Sequence, residues 1–178
     1  MSPASAGPSL LVADAHLQRE GGQDRKTVDV AVGILINAQQ QFLLTSRPLG
    51  KVYEGYWEFP GGKLEANETV AQALARELEE EIGLKIQDVQ LWRQQLVDYP
   101  HALVRLNFCK VTRWQGDMQM REGQNFAWQS LPVQVVPVLP GTVPVLTWLA
   151  EEQGFEGQTH QIQQAPSTAA PTAPPTAH

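Results

Sequence analysis

Apolar and β-branched residues gather in short runs along the chain, and turn-forming residues separate these runs. Such a pattern is typical of β-strands bounded by turns. The first run, residues 28–36, is rich in β-branched side chains and predicts a central strand. Phe59 precedes Pro60, and the residue before a proline favours extended backbone. The predicted strands cover residues 28–36, 41–46, 57–59, 87–97, 103–112 and 125–129.

A helical pattern begins after Thr69. Thr69 and Gln72 have the spacing of a capping box, with Thr69 as the N-cap residue. Leu74 and Leu78 are four residues apart, so they share one face of a helix. Gly83 stands where a glycine would end the helix. The sequence therefore predicts a short amphipathic helix between Thr69 and Gly83.

A second helix is predicted near residue 145. Thr142 has a side chain suited to an N-cap, and Pro144 suits the first helical turn. Residues 145–152 continue this helix, and Gly154 is expected to end it. Strands of this kind combined with two helices predict an α/β sandwich.

The two ends of the chain differ in composition from the region between them. Residues 1–26 carry Pro, Ser, Gly and scattered charge, and we expect a flexible leader with at most one helical turn. Residues 154–178 are rich in Gln, Thr, Ala and Pro, a composition that buries too little apolar surface to order itself. His160 is expected to be inert in this tail. One compact domain is therefore predicted over residues 27–153.

Composition narrows the class of protein. A chain of 178 residues with 42% hydrophobic content has room for one well-packed core. The net charge of −6 argues against a nucleic-acid polymer as partner, since binding to one calls for a basic patch. Cys109, the single cysteine, lies in an apolar stretch and is expected to be a buried thiol. The sequence lacks a membrane-spanning apolar run and the features of a signal peptide, so we expect a cytoplasmic protein. We also expect a monomer.

Acidic residues concentrate on one face of the first predicted helix. Glu77, Glu80 and Glu81 lie at positions i, i+3 and i+4, which places three carboxylates side by side. Like charges repel at this spacing, and a hard divalent cation such as Mg²⁺ would relieve the repulsion. Arg76 is placed to pair with Glu80 one turn later. A solvated acidic face is the alternative, since most glutamate runs are of that kind.

Glycines on both sides of the acidic face favour the metal interpretation. Gly61 and Gly62 precede it and allow backbone to approach a ligand closely, so a carbonyl there is a further candidate metal ligand. From Gly62 the chain reads glycine, a glutamate six residues later, and then Arg-Glu-apolar-x-Glu-Glu-x-Gly-apolar, ending at Leu84. This stretch resembles the signature of the Nudix hydrolases at every position.

The resemblance extends to the MutT branch of that family and covers about residues 28–152. The similar segments are residues 30–36, 44–47, 57–63, 113–116 and 121–124, together with Trp128. MutT-like enzymes remove oxidised guanine nucleotides, 8-oxo-dGTP above all, from the precursor pool. The resemblance implies an α/β/α sandwich with a mixed sheet, and Mg²⁺ as cofactor with Mn²⁺ as a substitute.

Individual roles are implied by the same resemblance. The implied metal ligands are Gly61, Glu77, Glu80, Glu81 and Glu122. The implied catalytic residues are Glu77 as proton acceptor, with Glu80 as the second candidate, and Arg76. The implied substrate-binding residues are Arg47, Glu58, Phe59, Pro60, Gly61, Gly62, Lys63, Tyr99 and Thr142. Each has a simpler alternative: Arg47 as a surface arginine, Glu122 as a solvated loop residue and Tyr99 as a core aromatic.

One position departs from the branch. MutT-like enzymes carry an asparagine before the last helix that hydrogen-bonds the edge of oxidised guanine, and here Thr142 is the nearest substitute. A hydroxyl cannot reproduce the paired donor and acceptor of an amide. Asn125, on another loop, is a candidate to take over the recognition. The departure predicts weaker discrimination for 8-oxoguanine.

These observations predict a Mg²⁺-dependent nucleoside triphosphate pyrophosphohydrolase, most simply an 8-oxo-dGTP diphosphatase that serves DNA repair by sanitising the nucleotide pool. A Nudix hydrolase acting on another nucleoside diphosphate linked to a group x is the alternative. A nucleotide-binding regulator without catalysis is a third hypothesis, against which the intact Glu77, Glu80 and Glu81 speak.

Overall fold

The computed structural model describes residues 8–22 and 24–162, which form a mixed α/β domain. Its helices are α1 (Val70–Ile82) and α2 (Val143–Gln153), and a 3₁₀ turn (Pro140–Thr142) leads into α2. Its strands are β1 (Leu10–Val12), β2 (Thr27–Leu35), β3 (Phe42–Ser46), β4 (Trp57–Glu58), β5 (Gly61–Lys63), β6 (Lys85–Gln87), β7 (Gln90–Asp98), β8 (Leu103–Val111), β9 (Arg113–Gln115) and β10 (Phe126–Gln129).

The largest sheet has five strands in the order β1-β7-β8-β2-β5. Strands β2 and β8 run parallel along their whole length, whereas β7 pairs antiparallel with β8 and β5 pairs antiparallel with β2. The predicted mixed sheet is therefore confirmed. The predicted central strand, β2, is an interior strand, but the middle position of the sheet belongs to β8. A three-stranded sheet, β10-β3-β4, and a two-stranded one, β6-β9, complete the strand pairing.

Residues 31–35 of β2 are buried on both faces of the sheet. Their side chains point alternately to opposite sides, so they enter two different clusters. Ala31 and Leu35 pack in one cluster with Leu74, Leu78 and Ile82 of α1. Val32 and Ile34 pack in a second cluster with Val145, Leu146 and Leu149 of α2. One helix thus covers each face, which confirms the α/β/α sandwich. Cys109 lies in the first cluster as a buried free thiol, and burial raises its pKa to about 11.

Both predicted ends of α1 are confirmed. The Thr69 hydroxyl accepts a hydrogen bond from the Gln72 N–H at 3.2 Å, and the Gln72 side chain accepts one from the Thr69 N–H at 2.9 Å. Gly83 closes the helix with φ 73°, and its N–H donates to the Glu79 carbonyl at 3.1 Å. The capping box and the glycine cap satisfy backbone groups that helix termini otherwise leave unpaired.

Two predicted elements differ in detail. The single strand expected over residues 87–97 is split into β6 and β7, because Asp88 has φ 52° and interrupts the extended backbone. Thr142 precedes α2, but its side chain does not cap the helix as predicted. Its φ and ψ of −79° and −30° are already helical and its side chain makes no capping bond, since the 3₁₀ turn runs directly into α2. Gly154 ends α2 with φ 64°, as predicted.

The flanking segments are more structured than their composition indicates. The apolar patch Leu10–Val12 forms strand β1 along the edge of β7 rather than a helical turn. His160 forms a β-bridge with Val133, so the chain packs on the domain as far as this residue. The remainder of the predicted tail, residues 163–178, lies outside the described residues. None of the helices in the described ranges is long and apolar enough to cross a membrane.

Candidate active site

A cavity of about 410 Å³ opens between the five-stranded sheet, α1 and the loops that follow β3, β7 and β9. Most residues that the sequence assigned to the site line it: Arg47, Glu58, Phe59, Pro60, Gly61, Gly62, Lys63, Glu77, Glu81, Tyr99, Glu122 and Thr142. Arg76 and Glu80 do not line it. The cavity has an acidic end, formed by Gly61, Gly62, Glu77, Glu81 and Glu122, and an aromatic end, formed by Arg47, Tyr53, Tyr99, His101 and Thr142.

The two glycines of the acidic end are required for different reasons. A Cβ on Gly61 would lie 2.0 Å from the Ala31 carbonyl oxygen, so any side chain there would separate β5 from β2. A Cβ on Gly62 would lie 2.2 Å from the carboxyl carbon of Glu77. The Glu77 carboxylate therefore occupies the space that a side chain at position 62 would fill. This contact explains why a glycine and a glutamate fifteen residues apart belong to one motif.

Arg76 holds the acidic end together from behind. Its guanidinium donates to both carboxylate oxygens of Glu68 at 2.8 Å, to Glu77 at 2.7 Å and to the Lys63 carbonyl at 3.0 Å. Hydrogen bonds from Arg76 lower the pKa of Glu68 to about 2. The predicted contact with Glu80 exists but is longer, at 3.6 Å. Arg76 thus positions Glu77 from outside the cavity and links α1 to strand β5.

The Glu81 carboxyl group lies among other acidic side chains of the cavity. Burial raises the pKa of Glu81 to about 9, helped by a hydrogen bond with Glu77 and by the charges of Glu122, Glu77 and Glu58. A divalent cation would reverse this penalty, so the oxygen-rich donor set suits such an ion. Within the described ranges no three His, Cys, Asp or Glu side chains are already arranged as a metal cluster. Mg²⁺ commonly takes one or two carboxylates and completes its shell with water and substrate phosphates.

Glu80 occupies a different environment from its neighbours on α1. Its side chain is 64% exposed and contacts Arg76, and it stays outside the cavity lining. Glu77 and Glu81, one turn apart on the helix, both reach the cavity. The structure therefore brings together Glu77, Glu81, Glu122 and the Gly61 backbone, and leaves Glu80 at the rim.

At the aromatic end, Arg47 is tied to its neighbours. One of its terminal nitrogens donates to both oxygens of Glu58, at 3.0 and 3.2 Å, and its Nε donates to the Val52 carbonyl at 2.5 Å. Burial raises the pKa of Glu58, and the charge and hydrogen bond of Arg47 oppose that rise. Arg47 lies in the cavity wall as predicted, but it presents a paired guanidinium rather than a free one.

Tyr99 and Thr142 meet at the inner wall of the aromatic end. Tyr99 is buried in an apolar cluster, as the core interpretation predicts, and it also lines the cavity. Its role in substrate binding stays a prediction. Its hydroxyl accepts a hydrogen bond from the Gly141 N–H at 3.0 Å, which fixes the 3₁₀ turn carrying Thr142. The Thr142 side chain is only 3% exposed yet borders the cavity. Asn125, the other candidate for base recognition, is exposed and outside the lining.

Several lining residues were not anticipated from the sequence. They include Tyr53, His101, Lys51, Gln124 and Ser46. His101 was expected to be an ordinary loop residue, but it stacks near Tyr99 with ring centroids 5.4 Å apart. Burial lowers the pKa of His101, and the charge of Arg47 lowers it further. No local pattern points to these residues, because they come from three separate segments of the chain.

Several known proteins have sequences similar to that of this chain. A family model described as the NUDIX domain matches residues 26–149. The 8-oxo-dGTP diphosphatase of Haemophilus influenzae is 42% identical over 105 residues, 59% of this chain and 77% of that protein. The Proteus vulgaris 8-oxo-dGTP diphosphatase is 39% identical over 100 residues, 56% of this chain and 89% of that protein.

Other similar proteins include an enzyme with a different named activity and a protein of known structure. The CTP pyrophosphohydrolase of Escherichia coli is 32% identical over 123 residues, 68% of this chain and 90% of that protein. A solved MutT structure, from work on the Aliivibrio salmonicida and Vibrio cholerae proteins, superposes with TM-score 0.59 at 32% identity over 71% of this chain and 99% of that one. Hydrolases of this family generally depend on a divalent metal. The signature on α1, the sandwich fold and the match over residues 26–149 establish that the chain belongs to the Nudix hydrolase family.

Proposed function

We propose that this Nudix hydrolase cleaves nucleoside triphosphates to the monophosphate and pyrophosphate, with 8-oxo-dGTP as the preferred substrate. The observation that carries the proposal is the single cavity that joins the acidic end to the aromatic end. Carboxylates suit a metal-chelated phosphate chain, and aromatic rings with an arginine suit a nucleobase. The named activities of the relatives support the same substrate class.

Four groups would hold the divalent cation, which we propose is Mg²⁺ with Mn²⁺ as a substitute. They are the Gly61 carbonyl, Glu77, Glu81 and Glu122, which gather at one end of the cavity. Glu80 would join only after its side chain turns away from Arg76 and solvent. When bound, the ion supplies polarisation of the phosphoryl oxygens and a more acidic water.

Residues of the chain itself orient the reaction. We assign Glu77 as the proton acceptor for the attacking water, because it lines the cavity and is held by Arg76 at 2.7 Å. Glu80, the second candidate, lies outside the lining. Water attacks one phosphorus of the anhydride between the α and β phosphates, and the P–O bond from that phosphorus to the bridging oxygen breaks. The products are nucleoside monophosphate and pyrophosphate, and Glu77 takes the proton of the water. No covalent intermediate is required, since water is the nucleophile.

The test is a substrate panel with one matched pair of variants. Initial rates on 8-oxo-dGTP, dGTP, CTP and dCTP are measured in saturating Mg²⁺ by coupling pyrophosphate release to a pyrophosphatase. Glu81→Gln removes one cavity carboxylate, and turnover is expected to fall to background. Glu79→Gln is the control on the same helix, because its side chain is 54% exposed and outside the cavity. Near-normal rates for Glu81→Gln would refute the proposed metal site.

A pyrimidine triphosphate is the second candidate substrate. The relative named CTP pyrophosphohydrolase matches a larger share of this chain, 68%, than the two diphosphatases described above. Thr142 also replaces the amide that the resemblance associates with oxidised guanine. A higher kcat/KM for CTP or dCTP than for 8-oxo-dGTP would select this alternative. A monomeric state and a cytoplasmic location stay predictions from the sequence.

A further inference from the structure

Residues 8–22, the N-terminal segment, lie outside the matched family domain yet pack on the cavity wall. Strand β1 runs parallel to the last residues of β7, and the Ala13 N–H donates to the Asp98 carbonyl at 3.0 Å. Ala13 itself is buried in the cluster that contains Tyr99 and Leu139. The segment therefore adds side chains directly behind the aromatic end.

The same region fixes the turn between β7 and β8. The Glu20 N–H donates to the Pro100 carbonyl at 2.8 Å. Arg25, just beyond the segment, donates to the Asp98 carboxylate at 2.8 Å and to the Tyr99 carbonyl at 2.6 Å. This turn carries the Tyr99 and His101 side chains of the aromatic end. One wall of the cavity is thus held from the N-terminal side.

A side-chain pair ties the loop after β3 to the N-terminal segment. The Tyr53 hydroxyl donates a short hydrogen bond to the Asp14 carboxylate. Tyr53 packs edge-on against Tyr99 with ring centroids 5.5 Å apart and lies 6.0 Å from the ring of His101. Burial raises the pKa of Tyr53, and the bond to Asp14 raises it further, so the hydroxyl remains a donor at physiological pH.

The backbone indicates that this pair is held in place by its surroundings. Asp14 and Tyr53 both have positive φ, 47° and 59°, a region that side chains other than glycine rarely adopt. Such conformations persist where surrounding contacts impose them. The tip of the loop around Tyr53 is exposed, since Leu49 is 86% exposed and Val52 is 50% exposed. Other hydrogen bonds of this loop, such as that from the Arg47 Nε to the Val52 carbonyl, stay within the loop. The Asp14 contact is therefore the tie between this loop and the N-terminal segment.

We propose that Asp14 is a positioning residue for nucleobase recognition, which holds Tyr53 against Tyr99 so that the two rings shape the aromatic end. The inference rests on the proposed nucleotide substrate. It assigns the N-terminal segment a function in substrate selection, although the segment contributes nothing to the acidic end. Asp14 acts through Tyr53 and does not itself line the cavity.

The test measures base-dependent and base-independent affinity separately. The dissociation constants of 8-oxo-dGMP and of pyrophosphate are measured by calorimetry, beside KM and kcat, for the full chain and its variants. Asp14→Ala should weaken the binding of 8-oxo-dGMP roughly 2–10-fold, as expected for one lost hydrogen bond, and should raise KM by a similar factor. Pyrophosphate affinity and kcat should not change, because the acidic end is untouched.

Three further variants separate positioning from a general effect on the fold. Asp14→Asn keeps an acceptor for the Tyr53 hydroxyl and should restore affinity. Tyr53→Phe should weaken the binding of 8-oxo-dGMP as much as Asp14→Ala does. The double variant should bind 8-oxo-dGMP no more weakly than either single variant. Asp24→Ala, an exposed aspartate nearby, should behave as the parent.

Two outcomes would overturn the inference alone: parent-like 8-oxo-dGMP binding by Asp14→Ala and Tyr53→Phe, or an equal loss of pyrophosphate binding. If Asp14→Ala fails to fold, the comparison of Tyr53→Phe with the parent decides. A parent that hydrolyses no nucleoside triphosphate would overturn the proposed function and, with it, this inference.

Discussion

At the acidic end of the cavity, the glycines and most of the carboxylates come from one stretch of chain, β5 and α1. Only Glu122 comes from elsewhere. At the aromatic end, the loop after β3, the β7–β8 turn, the 3₁₀ turn and the N-terminal segment each contribute a part. A local motif places these groups, because helix periodicity sets the spacing of the carboxylates and Gly62 leaves room for Glu77. The groups that we propose for base recognition share no such local motif, and their placement depends on how distant segments pack.

The first prediction tests whether the acidic end alone carries the chemistry. Glu77→Gln should lower kcat by roughly 10²–10⁴, the range typical of a lost general base. The fold should persist, since Glu77 packs over glycine backbone rather than in a core cluster. Because Glu77 is also a proposed metal ligand, kcat is measured across a Mg²⁺ titration, with Glu79→Gln as control. A loss below tenfold would move the role to another carboxylate.

The second prediction compares the two glycines of the acidic end. Gly62→Ala should displace the Glu77 carboxylate, because the new Cβ would lie 2.2 Å from its carboxyl carbon. A displacement of about 1 Å can cost roughly 10²-fold in rate, so kcat should fall by about that factor with little change in melting temperature. Gly61→Ala should instead lower the melting temperature, because its Cβ meets the Ala31 backbone oxygen at 2.0 Å. Equal effects of the two variants on stability would contradict the assignment.

The third prediction concerns discrimination at the aromatic end. Thr142 offers one hydroxyl, so 8-oxo-dGTP should be preferred over dGTP by less than in relatives that carry an asparagine there. Thr142→Ala should reduce the ratio of the two kcat/KM values roughly 2–10-fold, whereas Thr142→Asn should increase it. Asn125→Ala is the matched control, since Asn125 is outside the cavity lining. Equal kcat/KM for both nucleotides in the parent would refute the preference for oxidised guanine.

The smallest expected effect concerns stability at acid pH. Arg76 lowers the pKa of Glu68 from 4.5 to about 2, so the folded state binds this proton less readily than the unfolded chain. The resulting stabilisation is present above pH 4.5 and is lost as pH falls from 4.5 towards 2. Melting temperature followed from pH 7 to pH 2 should therefore decline less steeply for Glu68→Gln than for the parent. Glu65→Gln, with a 70% exposed side chain, should decline like the parent.

By itself, the sequence determined the helix that carries most of the acidic end and the fold class around it. The capping box at Thr69, the glycine cap at Gly83 and the i, i+3, i+4 glutamates are local patterns, and the structure places the helix and its caps as predicted. The β-branched run of β2 likewise marked an interior strand of the sheet. Local spacing is sufficient here because helix periodicity and strand alternation are properties of neighbouring residues.

Only the tertiary structure decided which residues share the cavity and which do not. Glu80 obeys the same spacing as Glu81 yet lies at the rim beside Arg76. Leu10–Val12 becomes a strand because the edge of β7 is available to pair with it, and Asp14 then reaches Tyr53, thirty-nine residues away. Such contacts depend on packing between segments far apart in the chain. No periodicity within either segment records them. Tyr53 and His101 could therefore not be predicted from the sequence, whereas the family resemblance implied Arg47, Tyr99 and Thr142 of the same end.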